Sequence, residues 1–298
     1  MIVISTHYGE DNDFNELVMD IRAGKKNYSL KRIDFNEALE DGLYRRICLI
    51  KGEQWTREGE DEWREKIVQS YGTDADEELF CIPSKGSGVY FPRIIIESCM
   101  DASIPILRWS CRPEFATDPD EIRSAACARW IAENLEQLVE NLDQNSATSF
   151  GMDFGMTGDL SIFWPLQETA NLIFRTPFLL ELRNVPYKEQ ETLLFWLGNR
   201  LPSFRGGAMD ARGNGQPLAQ RAMQKFGAWR ITQVMLTQEW YRDNMPRYKA
   251  AYEGKNIIIP KDADVLEDHR IIRMERGVAK PPDSVRTKGH DGGQRHGD

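Results

Sequence analysis

Two aspartates beside glycine-rich turns are the residues of this 298-residue chain whose type and spacing could support chemistry. Asp153 ends an apolar strand in the segment 151–161, where glycines free the geometry of a turn that leads into a second strand. Asp210 ends a short strand and precedes the glycine-rich segment 211–215. Taken alone, each aspartate is more simply explained as a residue that stabilises a turn.

The chemistry that such carboxylates support is metal-dependent hydrolysis of phosphodiesters. Two-metal hydrolysis needs several carboxylates that converge on cations about 4 Å apart. Mg²⁺ and Mn²⁺ prefer oxygen ligands, and the ends of neighbouring strands in α/β sheets are where such ligands meet. We therefore expect Asp153 and Asp210 to lie together. The segment 289–298 holds further candidate ligands, although a frayed tail is the simpler interpretation of it.

The glycines after Asp210 have a competing interpretation as a phosphate-binding loop. Gly213 and Gly215 are not followed by the Lys-Ser/Thr pair of a nucleotide-binding motif, so this alternative is weak.

Alternating strands and helices must position these aspartates. The hydrophobic pattern predicts a hairpin of strands at 151–153 and 160–164, and a further strand region at 171–183. Strands at 207–210, 231–236 and 257–260 follow, with helices at 187–201, 217–226, 238–252 and 265–272 between or after them. This order predicts an α/β fold with a mixed sheet.

The first half of the chain has a different pattern. Strands are expected at 2–4 and 29–34, and helices at 14–23, 35–39 and 55–71, the last with Thr56 as its N-cap. A helical element spans 116–147, and the polar run 143–149 is expected to be a linker. We place the domain boundary there, which gives domains at 1–147 and 148–298.

Composition limits the class of protein. The chain is 41% hydrophobic with a net charge of −9, as in ordinary globular proteins, and its five cysteines lack metal-binding spacing. The sequence has no apolar run long enough to cross a bilayer and no signal peptide, so we expect a cytoplasmic protein without membrane contact. The acidic charge argues against a wholly basic nucleic-acid-binding surface without excluding a DNA enzyme.

Three motifs in order resemble the large terminase subunit of tailed phages, in the form found in Mu-like phages and prophages. They are Gly-Met-Asp153-Phe-Gly-x-x-Gly-Asp-Leu-Ser, Met-Asp210-Ala-x-Gly-Asn-Gly, and Arg-His296-Gly-Asp298. The resemblance implies a ribonuclease-H-like nuclease domain with flanking helices. It implies metal binding by Asp153, Asp210 and Asp298, with Asp159 as a further carboxylate beside the site. His296 stands where some members have a histidine.

The N-terminal half is similar to another part of the same family. Residues 2–10, with Ser5, Thr6 and His7, resemble the late ATPase segment that couples hydrolysis to movement, and 38–83 resemble the region between ATPase and nuclease. Residues 1–147 would thus be the C-terminal end of a P-loop ATPase region followed by a linker helix.

Two departures from the family qualify this expectation. The sequence has no GxxxxGK[ST] motif, and it stops at Asp298, where the family continues into a helix. We therefore expect a fragment, truncated at the end of its nuclease domain, that does not hydrolyse ATP alone.

The resemblance implies an endonuclease that cuts concatemeric double-stranded phage DNA with two Mg²⁺ or Mn²⁺ ions. Its expected partners are this DNA, the portal protein and the small terminase subunit, in the host cytoplasm. Arg205, Arg212 and Arg295 are candidates for phosphate contacts, and His296 could protonate the leaving group. The alternatives are an inactive prophage remnant that serves as an interaction module of the packaging motor, or another ribonuclease-H-like nuclease.

Overall fold

The computed structural model describes residues 13–83, 90–155, 160–275, 277–282, 287–289 and 294–295. The chain divides into two units. The first is Met1–Pro92 with Arg273–Arg276, and the second is Arg93–Ile272 with Gly277–Asp298. The predicted boundary after residue 147 lies inside the second unit, and the extent of the domains stays a prediction. Among the described residues, no helix has the length and apolar character that a membrane span requires.

The helices of the described chain are α1 (Asp13–Arg22), α2 (Phe35–Glu40), α3 (Leu43–Lys51), α4 (Arg57–Tyr71), α5 (Ala75–Glu78), α6 (Arg93–Glu97), α7 (Asp120–Asn134), α8 (Glu136–Glu140), α9 (Tyr187–Arg200), α10 (Gln216–Phe226), α11 (Gln238–Glu253) and α12 (Ala263–Arg270). The strands are β1 (Met100–Asp101), β2 (Ile106–Ser110), β3 (Ala147–Asp153), β4 (Leu160–Glu168), β5 (Phe174–Arg175), β6 (Leu179–Arg183), β7 (Phe204–Asp210), β8 (Ile231–Val234), β9 (Ile257–Pro260), β10 (Arg273–Glu275), β11 (Val278–Lys280), β12 (Thr287–Lys288) and β13 (Gln294–Arg295).

The first unit is built mainly from α1–α5. The predicted N-cap of α4 is confirmed, because the Thr56 hydroxyl accepts a hydrogen bond from the Gly59 amide at 3.0 Å. The strand predicted at 29–34 is wrong, since these residues adopt no regular structure. Leu30 and Ile33 are 41% and 54% exposed, and an isolated strand without a partner is not stable in water. The strand predicted at 2–4 lies outside the described residues.

A nine-stranded mixed sheet organises the second unit. One path through it runs β1-β9-β5-β4-β3-β7-β8, and β6 pairs with β4 and with β2. β4 is antiparallel to β3, β5 and β6, while the remaining pairings are parallel. All strands of this sheet except β4 therefore run in one direction, and their carboxyl ends meet at one edge. This confirms the predicted α/β fold with a mixed sheet and flanking helices.

One face of the sheet carries the main hydrophobic core. Phe150, Met152 and Met209 point to this face and pack with α9 and α10. Leu197 on α9 and Leu218 on α10 are fully buried there. Residues at alternate positions of β3 and β7 point to the opposite face. The core therefore fixes the strands from one side, and Gly151, Asp153 and Asp210 face the other side.

Two expectations about 116–149 need correction. The predicted helical element is two helices, α7 and α8, which meet at Leu135. The predicted linker ends earlier than expected, because β3 begins at Ala147 and Thr148 is fully buried. The amide of Gln167 donates to the Thr148 hydroxyl at 3.2 Å and to the Asp143 carbonyl at 3.0 Å. These bonds allow a polar sequence to lie inside the sheet.

The close approach of β7 to β8 depends on Gly206. A Cβ atom there would lie 2.4 Å from the carbonyl oxygen of Arg230. We expect Gly206→Ala to lower the free energy of unfolding by about 1–3 kcal/mol, because backbone must move to relieve the overlap. Urea denaturation measures this change.

Gly151→Ala is the matched control on the neighbouring strand β3. An added Cβ atom there meets nothing within 4 Å, so its stability should equal or slightly exceed that of the parent. Equal effects of the two substitutions would contradict the steric explanation.

Candidate active site

The carboxyl ends of β3 and β7 bring two of the predicted ligands together. The strands are parallel neighbours, and Met152 is paired with Met209. The next residues, Asp153 and Asp210, are the last of each strand. They therefore lie side by side at the same edge of the sheet and on the same face, as the sequence predicted.

A bulge sets this alignment. Thr148 pairs with Phe204, but Ser149 pairs with Gly206, so Arg205 is an extra residue in β7. Without the extra residue, the register would place Asp153 opposite Met209. A shift of one residue moves side chains to the opposite face of a sheet. Hence the bulge at Arg205 is what places both aspartates at one level.

Both aspartates line a cavity of about 500 Å³ on the face opposite the main core. α11 and α12 supply its other walls. The lining side chains are largely aromatic or apolar, and they include Trp164, Trp240, Tyr241, Met245, Tyr248 and Ile272. The polar groups Asn244, Asp268 and His269 also reach it. The two carboxylates thus line a largely apolar cavity that holds a few other polar groups.

The loop after β7 holds Asp210 in position. Its Oδ1 accepts from the Arg212 backbone amide at 2.9 Å, and the Arg212 Nε lies 3.3 Å from the same oxygen. Gly215 packs against the strand end, where a Cβ atom would lie 2.5 Å from the Asp210 carbonyl oxygen. Gly215 is therefore required by close packing, and the competing phosphate-loop interpretation gains no support from it.

The loop after β3 is anchored by Ser161. Its fully buried hydroxyl accepts from the Gly155 amide at 2.8 Å and donates to the Gly155 carbonyl at 3.0 Å. The Gln190 side chain donates to the same carbonyl at 3.3 Å. Because Gly155 follows Asp153 by two residues, these bonds fix the backbone directly beyond the carboxylate.

Several predicted site residues lie outside the described residues. They are Ser5, Thr6, His7, Asp159, His296 and Asp298. Their predicted roles stay predictions.

The three predicted phosphate-binding arginines have different surroundings. Arg212 is 40% exposed beside Asp210. Arg205 lies at the other end of β7, about 17 Å from Asp210 by strand length, and its exposed side chain pairs with Glu168 at 2.6 Å. Arg295 is only 2% exposed. The structure therefore brings Arg212 alone of the three to the aspartates, and burial corrects the expectation that Arg295 contacts phosphate.

Arg295 instead lies in a buried cluster of charges. Its Nη2 is 2.8 Å from Glu181 Oε1 and 2.7 Å from Asp268 Oδ2, and its Nη1 is 3.7 Å from Asp264. Arg108 approaches Glu181 at 2.8 Å from the other side. These ion pairs compensate charges that would be costly to bury alone.

Asp268 is a residue of the cavity that the sequence did not single out. It lies on α12, within the segment predicted as a helix. Burial raises the pKa of its carboxyl group, and the neighbouring Arg295 opposes that rise. The local sequence gave no signal for its role, because its partner Arg295 reaches it only through the folded chain.

His269 forms a neutral network on the cavity wall. Its Nδ1 lies 2.7 Å from the Val265 carbonyl, which can only accept, so Nδ1 carries the proton and Nε2 accepts. The hydroxyls of Tyr248 and Tyr252 each lie 2.7 Å from Nε2. Burial lowers the pKa of His269 to about 4. This histidine is thus a structural, uncharged residue at neutral pH.

The donor set at the sheet edge fits a hard divalent cation. Asp153 and Asp210 offer carboxylate oxygens, which Mg²⁺ and Mn²⁺ prefer, and both face the same cavity. Within the described part of the chain, no group of at least three His, Cys, Asp or Glu side chains is arranged to hold a metal ion. The described residues therefore provide a pair of ligands.

Comparison with known proteins agrees with the sequence motifs. The chain is 39% identical over 301 residues to "Probable terminase, large subunit gp28" of Escherichia phage Mu, covering 99% of this chain and 54% of that protein. It is 36% identical over 298 residues to the Mu-like prophage FluMu protein gp28 of Haemophilus influenzae, covering 99% and 58%. The chain thus spans little more than half the length of these curated relatives.

Solved structures give a more distant likeness. The large terminase nuclease from thermophilic phage G20c aligns with a TM-score of 0.38 and 15% identity, covering 52% of this chain and 73% of that one. No family model matches the chain.

Burial of His269 predicts a pH dependence of stability. The unfolded side chain protonates near pH 6.5, and the folded one near pH 4. The contribution of His269 to the free energy of unfolding should be fully present above pH 6.5. It should fall by about 3 kcal/mol as the pH drops from 6.5 to 4, because only the unfolded state gains the proton in this window. Urea denaturation between pH 4.5 and 7.5 measures this loss.

His269→Gln is the control, because glutamine retains hydrogen-bonding groups but does not titrate. The free energy of unfolding should fall less steeply with decreasing pH in the variant than in the parent, and this difference separates the effect of His269 from that of the carboxylates. Identical pH dependences would contradict the lowered pKa of His269.

Proposed function

The chain belongs to the family of large terminase subunits from Mu-like phages, and we propose that it is a metal-dependent endonuclease of DNA packaging. Its substrate is concatemeric double-stranded phage DNA. One observation carries the proposal: Asp153 and Asp210 end adjacent parallel strands and line one cavity. Two carboxylates so placed match the ligands that phosphodiester hydrolysis requires.

Asp153 and Asp210 would hold Mg²⁺ or Mn²⁺ as ligands of a two-metal site. When bound, such cations lower the pKa of water and stabilise the charge of the leaving oxygen. Asp153 and Asp210 hold the site at the rigid sheet edge. Arg212 keeps Asp210 oriented through its backbone amide. The partly exposed guanidinium of Arg212 offers a cation to the phosphate backbone of DNA.

The remaining roles follow from the family resemblance. Asp298 completes the metal site, and Asp159 is a further carboxylate beside it. His296 orients or protonates the leaving group. Ser5, Thr6 and His7 belong to the segment that couples ATP hydrolysis to movement in the whole subunit. The partners are the portal protein and the small terminase subunit in the host cytoplasm.

Substitution of the paired aspartates tests the proposal. Asp153→Asn and Asp210→Asn should each reduce Mn²⁺-dependent cleavage of plasmid DNA by at least about 100-fold, because each removes a charged oxygen ligand. Calorimetry should show weaker Mn²⁺ binding by each variant. Gel assays with and without a chelator measure the cleavage.

Asp243→Asn is the matched control, since Asp243 is an exposed residue on α11. It should cleave DNA at the rate of the parent. Cleavage by Asp153→Asn at the parental rate would refute the site. A parent that neither binds Mn²⁺ nor cuts DNA would favour the alternative of an inactive interaction module.

Absence of the GxxxxGK[ST] motif from the sequence leads to a further prediction. The purified chain should not hydrolyse ATP above background, because no Walker loop is available to cradle the phosphates. A coupled phosphate-release assay checks this. Turnover that persists in Asp153→Asn and Asp210→Asn would show an ATPase site elsewhere in the chain.

A further inference from the structure

One stretch of this acidic chain carries a local excess of positive charge. The whole sequence has 47 acidic and 38 basic residues and a net charge of −9. Within residues 192–238, Asp210 is the single acidic residue. The same stretch contains six basic residues, which are Arg200, Arg205, Arg212, Arg221, Lys225 and Arg230. It covers the end of α9 and all of β7, α10 and β8. Such a local excess is typical of a surface for an anionic partner.

The helix α10 turns one side to the core and the other to solvent. Leu218, Ala219 and Ala222 are fully buried. The exposed positions recur at helical spacing and, apart from one proline, carry amide or basic side chains; they are Gln216, Pro217, Gln220, Arg221, Gln224 and Lys225. Arg221 pairs with Glu191 of α9 at 2.6 Å, while no carboxylate among the described residues pairs with Lys225. This side, the α10 face, is therefore polar and basic along its whole length.

Two further cations lie beyond the carboxyl end of α10. The ring centroids of Phe226 and Phe195 are 5.8 Å apart, so the ends of α10 and α9 lie together. Arg200 is the exposed last residue of α9. In the loop before β8, the guanidinium carbon of Arg230 lies 4.3 Å from the ring centroid of Trp229, which is 77% exposed. The basic surface thus continues past the helix.

The amino end of α10 begins at the candidate active site. Gly215 directly precedes the helix, and a Cβ atom there would lie 2.5 Å from the Asp210 carbonyl oxygen. Arg212 lies beside the Asp210 carboxylate. α10 has 11 residues, so its axis is about 16 Å long. The α10 face therefore leads from the paired aspartates to the loop before β8.

We propose that the α10 face, extended by Arg200 and Arg230, binds the sugar-phosphate backbone of double-stranded DNA and guides it to the paired aspartates. The inference rests on the proposed nuclease function, because that function places the cleaved bond at the amino end of α10. One DNA strand advances about 3.4 Å per nucleotide along the duplex. A face about 16 Å long therefore contacts about five nucleotides to one side of the cleaved bond.

The chemistry of the α10 face favours DNA over a protein partner. Arginine, lysine and glutamine side chains all bind phosphate oxygens, and protein–DNA interfaces are polar and positively charged. The centre of a protein–protein interface is instead rich in aromatic and apolar residues. No exposed side chain of α10 is a large hydrophobic one. Trp229 lies only at the end of the face, where Arg230 covers one side of its ring.

Fluorescence anisotropy of labelled duplex DNA, measured in EDTA, tests the inference without cleavage. Lys225→Gln and Arg200→Gln should each weaken binding about 5- to 10-fold near 0.1 M salt, because each removes one phosphate contact. Each should also lower the slope of log affinity against log salt by about one. The losses should be equal for unrelated DNA sequences, since phosphate contacts carry no sequence information.

Gln224→Glu tests the same face with almost no change in side-chain shape. It places a negative charge among the proposed phosphate contacts, so it should weaken DNA binding as the lysine and arginine substitutions do. All three residues are exposed, so the variants should fold, and circular dichroism checks this. Parental DNA binding by all three variants would overturn the inference.

Arg129→Gln is the matched control, because Arg129 is an exposed arginine on α7, outside residues 192–238. It removes the same charge and should bind DNA within twofold of the parent. Equal losses in Arg129→Gln and Lys225→Gln would assign the effect to net charge and overturn the inference. Parental DNA binding by Lys225→Gln together with weaker binding of polyglutamate would assign the face to an acidic protein and also overturn it.

The outcomes separate the two proposals. A parent that cuts no DNA, but whose DNA binding is weakened in Lys225→Gln and Arg200→Gln, refutes the nuclease function and leaves the α10 face as a DNA-binding surface. A parent whose Mn²⁺-dependent cleavage is lost in Asp153→Asn, but whose DNA binding is unchanged in the α10 variants, refutes only this inference.

Discussion

The parallel pairing of β3 with β7 is the interaction on which the rest of the candidate site depends. It aligns the carboxyl ends of the two strands, so that their last residues, Asp153 and Asp210, lie side by side. A single extra residue, Arg205, corrects the register between them. The two following glycines then allow close packing, since a Cβ at Gly206 would strike Arg230 and one at Gly207 would strike Phe150. The bulge and the glycines together give the site its register.

The elements nearest the site could be predicted because their signals are local. The hairpin around Asp153, the strand before Asp210 and the helices α9 to α11 follow from apolar spacing, caps and glycines. The strand expected at 29–34 does not form, because this apolar segment has no strand to pair with in the fold. The bulge could not be predicted either. Register depends on how two strands pair, and the hydrophobic pattern of one strand does not specify it.

Residues joined over long separations were also beyond local prediction. Arg295 was expected to contact phosphate, as basic residues near an acidic site often do. It is buried because Glu181 and Asp268 converge on it from two elements that are distant in sequence. Asp268 itself lies in a helix that was predicted from the hydrophobic periodicity of the sequence alone. A sequence pattern predicts that an acidic residue lies on a helix, but the partner that decides its role comes from the tertiary fold.

The face of the sheet opposite the main core carries its acidic side chains in two different settings. Around Glu181, Asp264 and Asp268 the compensating cation is part of the chain, an arginine that stays charged at any relevant pH and is sealed from solvent. Asp153 and Asp210 instead line a cavity, with Arg212 beside Asp210. The face is therefore divided into a part where a buried arginine compensates its carboxylate neighbours and a part where two carboxylates line a cavity.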